Sequence, residues 1–292
     1  MCPRNAPATS NRMNRITAVS MRKGGAEMGG RGGSSHRTSA GRTSSAFDFL
    51  RRAYGENHAN AVLAILQNAP EHIRSMWDDF SGQFRSTSLS RNARSAFYAP
   101  ADNSVHLNIS RVARGDVIST PYSVLFHEYG HMTDYLIARA EGYGRYSAYS
   151  ALFQGIDSSG NAIMHRSAAG GLLGRTAKNE LEGHLSRIRR YEPNMTRDQA
   201  ADRLISEAMG KYSMRDRSDI SDMFEGAGIG KAYPLGSGHG SSYWSGRDSG
   251  VEIFAEITSA ETSHPGSLAA IKEYFPKTYQ VYQDMLKARK KK

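Results

Sequence analysis

Apolar residues recur every three or four positions through much of the chain, which is the spacing of a helix that buries one face. From Ser45 onward the segments FDFLRRAY, NAVLAILQNA and EHIRSMWDDFSGQF each show this pattern. The first of them places Phe47, Leu50 and Tyr54 on one side. The chain therefore predicts a run of amphipathic helices before residue 85.

The period changes from about three and a half to two in SAFYAPADNSVHLNIS, residues 95–110. Here Val105, Leu107 and Ile109 alternate with polar residues, and a Pro-Ala-Asp-Asn turn separates them from Phe97 and Tyr98. Alternation of this kind with a turn between the two runs is typical of a β-hairpin.

The helical period returns in the second half of the chain. Thr120-Pro121 is a helix-start signal, since a hydroxyl suits the cap and proline suits the first turn, and the helix is predicted to run from 121 to 140. Further helices are predicted at 176–190, 197–210, 217–226 and 251–261, followed by a final pair broken near Pro276, with a glycine-rich loop at 236–250. The overall pattern predicts an α+β fold.

The chain carries a net charge of +10, and that charge is concentrated at its two ends. Residues 1–44 are rich in Gly, Ser and Arg and poor in bulky aliphatic residues, so we expect a disordered leader. The final six residues, KARKKK (287–292), form a second basic tail. A domain over 45–286 is thus predicted to be nearly neutral, and nucleic-acid binding is expected only through the tails.

Composition excludes several classes of protein. No apolar run approaches the roughly 18 residues that a membrane span requires, and the basic N-terminus lacks the apolar stretch of a signal peptide. The lone cysteine, Cys2, excludes internal disulfides and cysteine-based zinc sites. These observations leave the compartment open between the cytoplasm, a virion and export by a non-Sec route.

The segment HEYGH, residues 127–131, lies inside the helix predicted for 121–140. Residues four apart lie on one helix face, so His127 and His131 can bind a single Zn²⁺ ion. Glu128 leans toward the same side, where it can accept a proton from a water held by the metal. The pattern predicts a catalytic zinc site.

A catalytic zinc site usually has a third protein ligand, and the chain offers several for it. The metzincin pattern is excluded because positions 134 and 137 are Asp and Ile, and no glutamate lies about twenty residues after His131. Glu252 stands out because VEIFAEI is an apolar helix whose buried acids require a cation or hydrogen-bond partners. The other candidates are Glu180, Glu182, Glu207, Glu225, Glu256, His165, His184 and His239.

At these residues the chain resembles the lethal-factor-like zincins, the family of the catalytic domain of anthrax lethal factor, with members in phage and mobile elements. HEYGHMTD (127–134) matches the family pattern HE[FY]GHxxD, and SYWSGRDSGVEIFAE and FPKTYQVYQDML are similar to its later motifs in the same order. The resemblance covers about 95–140 and 236–287. It implies a zincin fold, in which a small twisted sheet packs on the HEYGH helix and an edge strand containing Val105–Ile109 receives an extended peptide substrate.

Position by position, the resemblance implies His127, His131 and Glu252 as zinc ligands and Glu128 as the general base. It implies an outer-shell role for Glu256 and a hydroxyl near the scissile carbonyl for Tyr243, although Tyr243 lies two residues further from Glu252 than in the family pattern. Because 121 residues separate His131 from Glu252, the segment 143–235 is interpreted as a helical insertion. His239, in GHG, is expected near the cleft.

The sequence therefore favours a zinc-dependent endopeptidase acting on protein or peptide. Two alternatives remain: a phage or mobile-element virion or assembly protein that uses a zincin-like domain, and a secreted effector or toxin protease. Nucleic-acid binding through the basic tails is a third, weaker alternative.

Overall fold

The computed structural model describes residues 43–90 and 95–289. Nearly all of the predicted leader, 1–44, and the end of the basic tail, 290–292, lie outside these residues, so the predictions made for them stay untested. The described part of the chain combines helices with two small sheets, in agreement with the predicted α+β class. No helix within it is long and apolar enough to cross a membrane.

The elements follow one another in the order helices, sheet, helices. The helices are Thr43–Tyr54 (α1), Glu56–Asn68 (α2), Glu71–Phe80 (α3), Ile109–Val112 (α4), Ser123–Ala140 (α5), Tyr149–Leu152 (α6), Leu172–Tyr191 (α7), Arg197–Lys211 (α8), Ser218–Gly226 (α9), Ser249–Ser263 (α10), Pro265–Tyr274 (α11) and Pro276–Ala288 (α12), with a 3-10 turn at Ser81–Gln83. The strands are Ser86–Ser88 (β1), Phe97–Ala99 (β2), Ser104–Leu107 (β3), Phe153–Ile156 (β4) and Ala162–Met164 (β5).

The predicted hairpin is confirmed, but its place in the sheet differs from the prediction. β2 and β3 are antiparallel, with Tyr98 opposite Val105. β1 pairs with β3 in parallel on its other side, so the strand order is β1-β3-β2. The prediction of Val105–Ile109 as an edge strand is therefore wrong: β3 is central, β2 is an edge, and Ile109 already begins α4.

The segment 143–235 is not purely helical. It contains α6, α7, α8 and α9, but also β4 and β5, which pair as a separate antiparallel sheet. The turn between these strands is DSSG, where the Asp157 carboxylate accepts hydrogen bonds from the backbone of Ser159 and Asn161. This local turn chemistry stabilises a hairpin in a segment that carries few apolar residues.

The helix that carries HEYGH, α5, begins at Ser123 rather than at Pro121. Tyr122 adopts a left-handed backbone conformation, with φ of 65°, which the helix cannot continue through. The hydroxyl of Thr120 donates to the carbonyl of Ser263 instead of capping the helix. The predicted end near Gly142 is confirmed, because the helix stops at Ala140.

The main packing contact of the fold lies between α5 and α10. The side chains of Leu125, Met132 and Leu136 on α5 are at most 1 % exposed. The two backbones approach closely at Gly130, where a Cβ atom would lie 3.0 Å from Ala255 Cα. Because so short a contact leaves no room for a methyl group, glycine at this position lets the two helices pack together.

The C-terminal boundary of the domain lies beyond the predicted residue 286. Helix α12 continues to Ala288, and the Arg289 guanidinium, which is only 2 % exposed, forms a 3.1 Å ion pair with Asp79 of α3. Arg289 thus belongs to the folded domain, and the prediction of a solvated tail from 287 onward is wrong for this residue. A buried cation of this kind requires a partner because desolvation is costly.

Asp134 lies three residues after His131 and is fully buried. Its carboxylate accepts hydrogen bonds from the Ser150 backbone N–H at 2.8 Å and from the Ser150 hydroxyl at 2.5 Å. These bonds tie α5 to α6. Burial nevertheless raises the pKa of Asp134 to about 7, and the hydrogen bonds from Ser150 offset only part of that rise.

We expect the Asp134→Asn change to alter the pH dependence of folding. Between pH 4 and 7 the unfolded chain has released the Asp134 proton while the folded chain retains it, so the stability of the wild type falls as pH rises. Relative to that of the wild type, the unfolding free energy of the variant should therefore increase by about 1–4 kcal/mol between pH 4 and pH 7. Urea denaturation of both proteins in chelator measures the difference, and parallel curves from pH 4 to 8 would contradict the expectation.

Candidate metal centre

His127 and His131 lie one helical turn apart on α5, and the buried Glu128 directly follows His127. The Nε2 atoms of the two imidazoles face each other at 3.1 Å. The two side chains are 15 % and 13 % exposed, so the imidazoles are largely covered yet open on one side. Two ring nitrogens directed at the same point are the arrangement that a shared metal ion requires.

Glu252 of α10 lies opposite the two histidines. Its Oε1 atom is 3.1 Å from His127 Nε2, and its Oε2 atom is 3.5 Å from His131 Nε2. Ligand atoms bound tetrahedrally to zinc at 2.0–2.2 Å stand about 3.3–3.5 Å from one another. The three side chains thus have the mutual spacing of a ligand set, although they are remote in sequence.

One buried carboxylate oxygen of this cluster is evidence in favour of a bound cation. Glu252 Oε1 is buried and accepts no well-directed hydrogen bond from the described residues, although His127 Nε2 lies 3.1 Å away. A buried carboxylate oxygen without a partner is costly, and such atoms are rare in folded proteins. A metal ion between Glu252 and the imidazoles would remove that cost, so the residues present fit a bound cation.

Glu256 lies one turn after Glu252 on α10 and faces the far side of the same imidazole. Its Oε2 atom is 3.4 Å from His127 Nδ1, and the side chain is 7 % exposed. A carboxylate at this nitrogen fixes the orientation of the ring and makes its other nitrogen a better ligand. The structure therefore brings the three residues that the resemblance implied as ligands into one cluster with Glu256, for which it implied an outer-shell role.

The charges within the cluster shift the pKa values of its members in different directions. Burial raises the pKa of Glu128 to about 7, against the lowering effect of His127. Burial acts to raise the pKa of Glu252 as well, but the two histidines outweigh it and lower that pKa well below its usual range. Burial lowers the pKa of His131 to about 4. Glu252 is thus held as an anion and His131 as a neutral ring, the forms in which they bind metals. Burial acts to lower the pKa of His127, but Glu256 and Glu252 outweigh it and raise that pKa well above its usual range, so His127 must release a proton on binding a metal.

The glycine-rich loop before α10 completes the site. The Tyr243 hydroxyl donates to Glu252 Oε2 at 2.7 Å, and His239 Nε2 lies 3.6 Å from Glu252 Oε1. The ring centroids of His239 and Tyr243 are 4.0 Å apart. Both residues that the sequence placed near the cleft therefore lie beside the metal ligands.

Two acidic residues of α9, which the sequence analysis did not single out for these roles, hold this loop in place. Asp222 Oδ1 is 2.8 Å from His239 Nδ1. Glu225 accepts hydrogen bonds from the backbone N–H groups of His239 and Gly240 at 3.1 and 3.2 Å. A Cβ atom at Gly238 would lie 2.7 Å from Glu225 Oε2, so the loop requires glycine there. The sequence feature that could have identified these two residues is the three-residue spacing of acidic side chains along a helix that is otherwise buried.

The other residues considered as third ligands do not reach the cluster. Each has a separate partner: Glu180 accepts from the backbone of Lys277 and Thr278, Glu182 pairs with Arg197, Glu207 pairs with Arg203, His184 bonds to the Tyr274 carbonyl, and His165 bonds to the Arg166 carbonyl. Their placement leaves Glu252 as the carboxylate nearest both imidazoles.

The cluster is reached by solvent from two sides. A cavity of about 260 Å³ borders His127 and Glu128 and is lined on its other wall by Asp219 and Asp222. A second cavity, of about 240 Å³, borders Tyr243 and Glu252.

Comparisons with protein-family models, with curated proteins and with solved structures gave no match to this chain. The resemblance to lethal-factor-like zincins therefore rests on the short motifs alone. The functional argument rests on the geometry of the metal centre.

Proposed function

We propose that this chain is a zinc-dependent endopeptidase in which His127, His131 and Glu252 hold the ion. The observation that carries the proposal is the spacing of three side chains from two separate helices: the two Nε2 atoms are 3.1 Å apart, and each lies 3.1 or 3.5 Å from one oxygen of Glu252. Two imidazoles and one carboxylate are the donor set of several catalytic zinc sites, which keep a fourth position open. The resemblance of HEYGHMTD to the lethal-factor-like motif supports the same reaction.

Zinc at such a site lowers the pKa of water and polarises a peptide carbonyl. The protein's own contribution begins with Glu128, which is 6 % exposed and faces the cavity beside His127. Its carboxylate accepts the proton of the attacking water and delivers it to the leaving amine. Since this role needs a base close to the ligands but not bound to the ion, the position directly after His127 suits it.

Tyr243 and His239 are proposed to stabilise the oxyanion that forms on the scissile carbonyl. The Tyr243 hydroxyl already reaches the ligand carboxylate, so a short movement brings it to a substrate oxygen. Asp222 fixes the ring of His239 through Nδ1 and leaves Nε2 directed toward the centre. Donors positioned in this way contribute about 3–4 kcal/mol to transition-state stabilisation.

The substrate is proposed to lie along β2, the sheet edge nearest α5. β2 pairs with β3 on one side only among the described residues, and its backbone at Tyr98 reaches the carboxylate of Glu128. An extended peptide can add to such an edge by main-chain hydrogen bonds, with little dependence on its side chains. This arrangement favours an endopeptidase over an enzyme that recognises a chain end.

The proposal is tested by metal analysis and by a cleavage assay on the full-length chain. We expect about one zinc ion per chain and hydrolysis of a mixed peptide library, detected by mass spectrometry. Treatment with a chelator should stop hydrolysis, and added zinc should restore it. A chain that binds zinc stoichiometrically but cleaves no peptide would contradict the endopeptidase proposal, and a chain that binds no zinc would contradict the metal centre.

A further inference from the structure

A large open cavity lies beside the metal centre and is lined by basic side chains. Its volume is about 580 Å³, and its wall includes Arg166, Arg175, Lys178 and Arg247. The one acidic side chain in that wall is Asp248. Its carboxylate already accepts hydrogen bonds from the backbone N–H groups of Gly171 and Gly250.

The four cations of this basic cavity form no ion pair with any carboxylate in the described part of the chain. Arg175 donates to Gln154 Oε1 at 2.8 Å and to the carbonyl of Gly170, both of which are neutral acceptors. Arg247 lies over the ring of Tyr243, with its Cζ atom 4.3 Å from the ring centroid. Unpaired cations that converge on one concave surface attract an anionic group, and the attraction grows where solvent is partly excluded.

The basic cavity adjoins the cavity that borders the candidate metal ligand Glu252. It shares Tyr146, Ala148 and Arg247 with the cavity that borders Tyr243 and Glu252. A peptide whose scissile bond lies at the ligands can therefore extend one end into the basic cavity. The cavity that borders His127 and Glu128 differs in charge, because Asp219 and Asp222 line it.

We infer that the basic cavity is a substrate subsite that selects peptides with acidic side chains on one side of the scissile bond. The inference deepens the proposed endopeptidase function and rests on it. Arg175, fixed by two hydrogen bonds, and Lys178, one turn along α7, supply the charge at the wall of the cavity. Arg247 joins this subsite to Tyr243 and so to the reacting carbonyl.

The test uses two peptides that differ only in a pair of Glu or Gln residues within a few positions of the cleaved bond. Binding is measured by fluorescence anisotropy on the zinc-loaded full chain carrying Glu128→Gln, which keeps the peptide intact. We expect the Glu peptide to bind at least about tenfold more tightly than the Gln peptide. The added change Lys178→Glu should remove most of that preference. In the active chain, the same change should lower kcat/KM for the Glu peptide by a larger factor than that for the Gln peptide.

The matched control is Arg190→Glu, which reverses one exposed charge on the same helix outside the basic cavity. This variant should keep the full preference, so that a general attraction of acidic peptides to a basic protein is distinguished from a subsite. Equal binding of the two peptides, or equal loss of preference in both variants, would overturn the inference. So would tighter binding of a short single-stranded oligonucleotide that depends on Lys178.

The binding measurement separates this inference from the endopeptidase proposal. If the Glu peptide binds preferentially through Lys178 but no peptide is cleaved, the subsite stands and the proposed reaction fails. If peptides are cleaved without preference for acidic residues, the reaction stands and the subsite fails.

Discussion

Replacement of Glu128 by Gln is expected to reduce peptide hydrolysis by about 10²- to 10⁴-fold while the amount of bound zinc stays the same. The amide retains the shape of the side chain but cannot accept the proton of the attacking water. Burial raises the pKa of Glu128 to about 7, so the carboxylate can exchange a proton near neutral pH. The measurement is kcat/KM on a cleavable library peptide, with metal analysis of the same preparation.

Glu56→Gln is a suitable control because it removes an exposed glutamate from α2 at a distance from the cluster. This variant should hydrolyse peptide at the wild-type rate. Full activity in Glu128→Gln would remove the proposed mechanism, whereas loss of zinc in that variant would show that Glu128 supports the metal site instead.

Replacement of Glu252 by Gln is expected to lower zinc affinity by more than about 100-fold, since it removes a ligand. Glu256→Gln provides a matched comparison one turn along the same helix. Its carboxylate orients His127 from 3.4 Å without reaching the centre, and the loss of such an outer partner costs about 10- to 100-fold in metal affinity. Competition with a chromophoric zinc chelator measures both variants and the wild type.

His127→Ala should resemble Glu252→Gln in this titration, and circular dichroism would verify that all three variants are folded. Unchanged zinc affinity in Glu252→Gln would place the third ligand elsewhere, and His239, at 3.6 Å from Glu252 Oε1, would be the first alternative. A larger loss in Glu256→Gln than in Glu252→Gln would exchange the roles assigned to the two carboxylates.

The part of the site on α5 could be predicted from the sequence because its geometry is local. The spacing of His127 and His131 on one helix face follows from the helix itself, and the structure reproduces it. The sequence distinguished Glu252 as an acidic residue in an apolar helix, a pattern that predicts a buried carboxylate in need of a partner. In the structure, one oxygen of that carboxylate is buried without a hydrogen bond. The same helix pattern indicated that Glu256, one turn along, could orient a ligand imidazole if Glu252 binds the metal, and the motif resemblance implied both roles.

The other features of the fold and of the site depend on contacts between segments that are distant in sequence. Such contacts leave no periodic pattern in the sequence. β1 consists of Ser86, Thr87 and Ser88, and its pairing with β3 is carried by the backbone. Asp222 becomes a partner of His239 only because α9 packs beside α10. Likewise, the sequence places Arg289 in a charged tail. In the structure, Arg289 forms a buried ion pair with Asp79, about 210 residues earlier in the chain.

Gly130 shows how a residue without a functional group belongs to the metal centre. It lies between His127 and His131 in the sequence, at a position that a general search for the HExxH motif leaves unspecified. A methyl group there would press on Ala255 and Thr258 and displace the stretch of backbone from which Glu252 projects. In this fold, the lack of a side chain at one internal position lets the two helices approach closely where Glu252 faces both imidazoles. A search for proteins that share this architecture should therefore require HExGH.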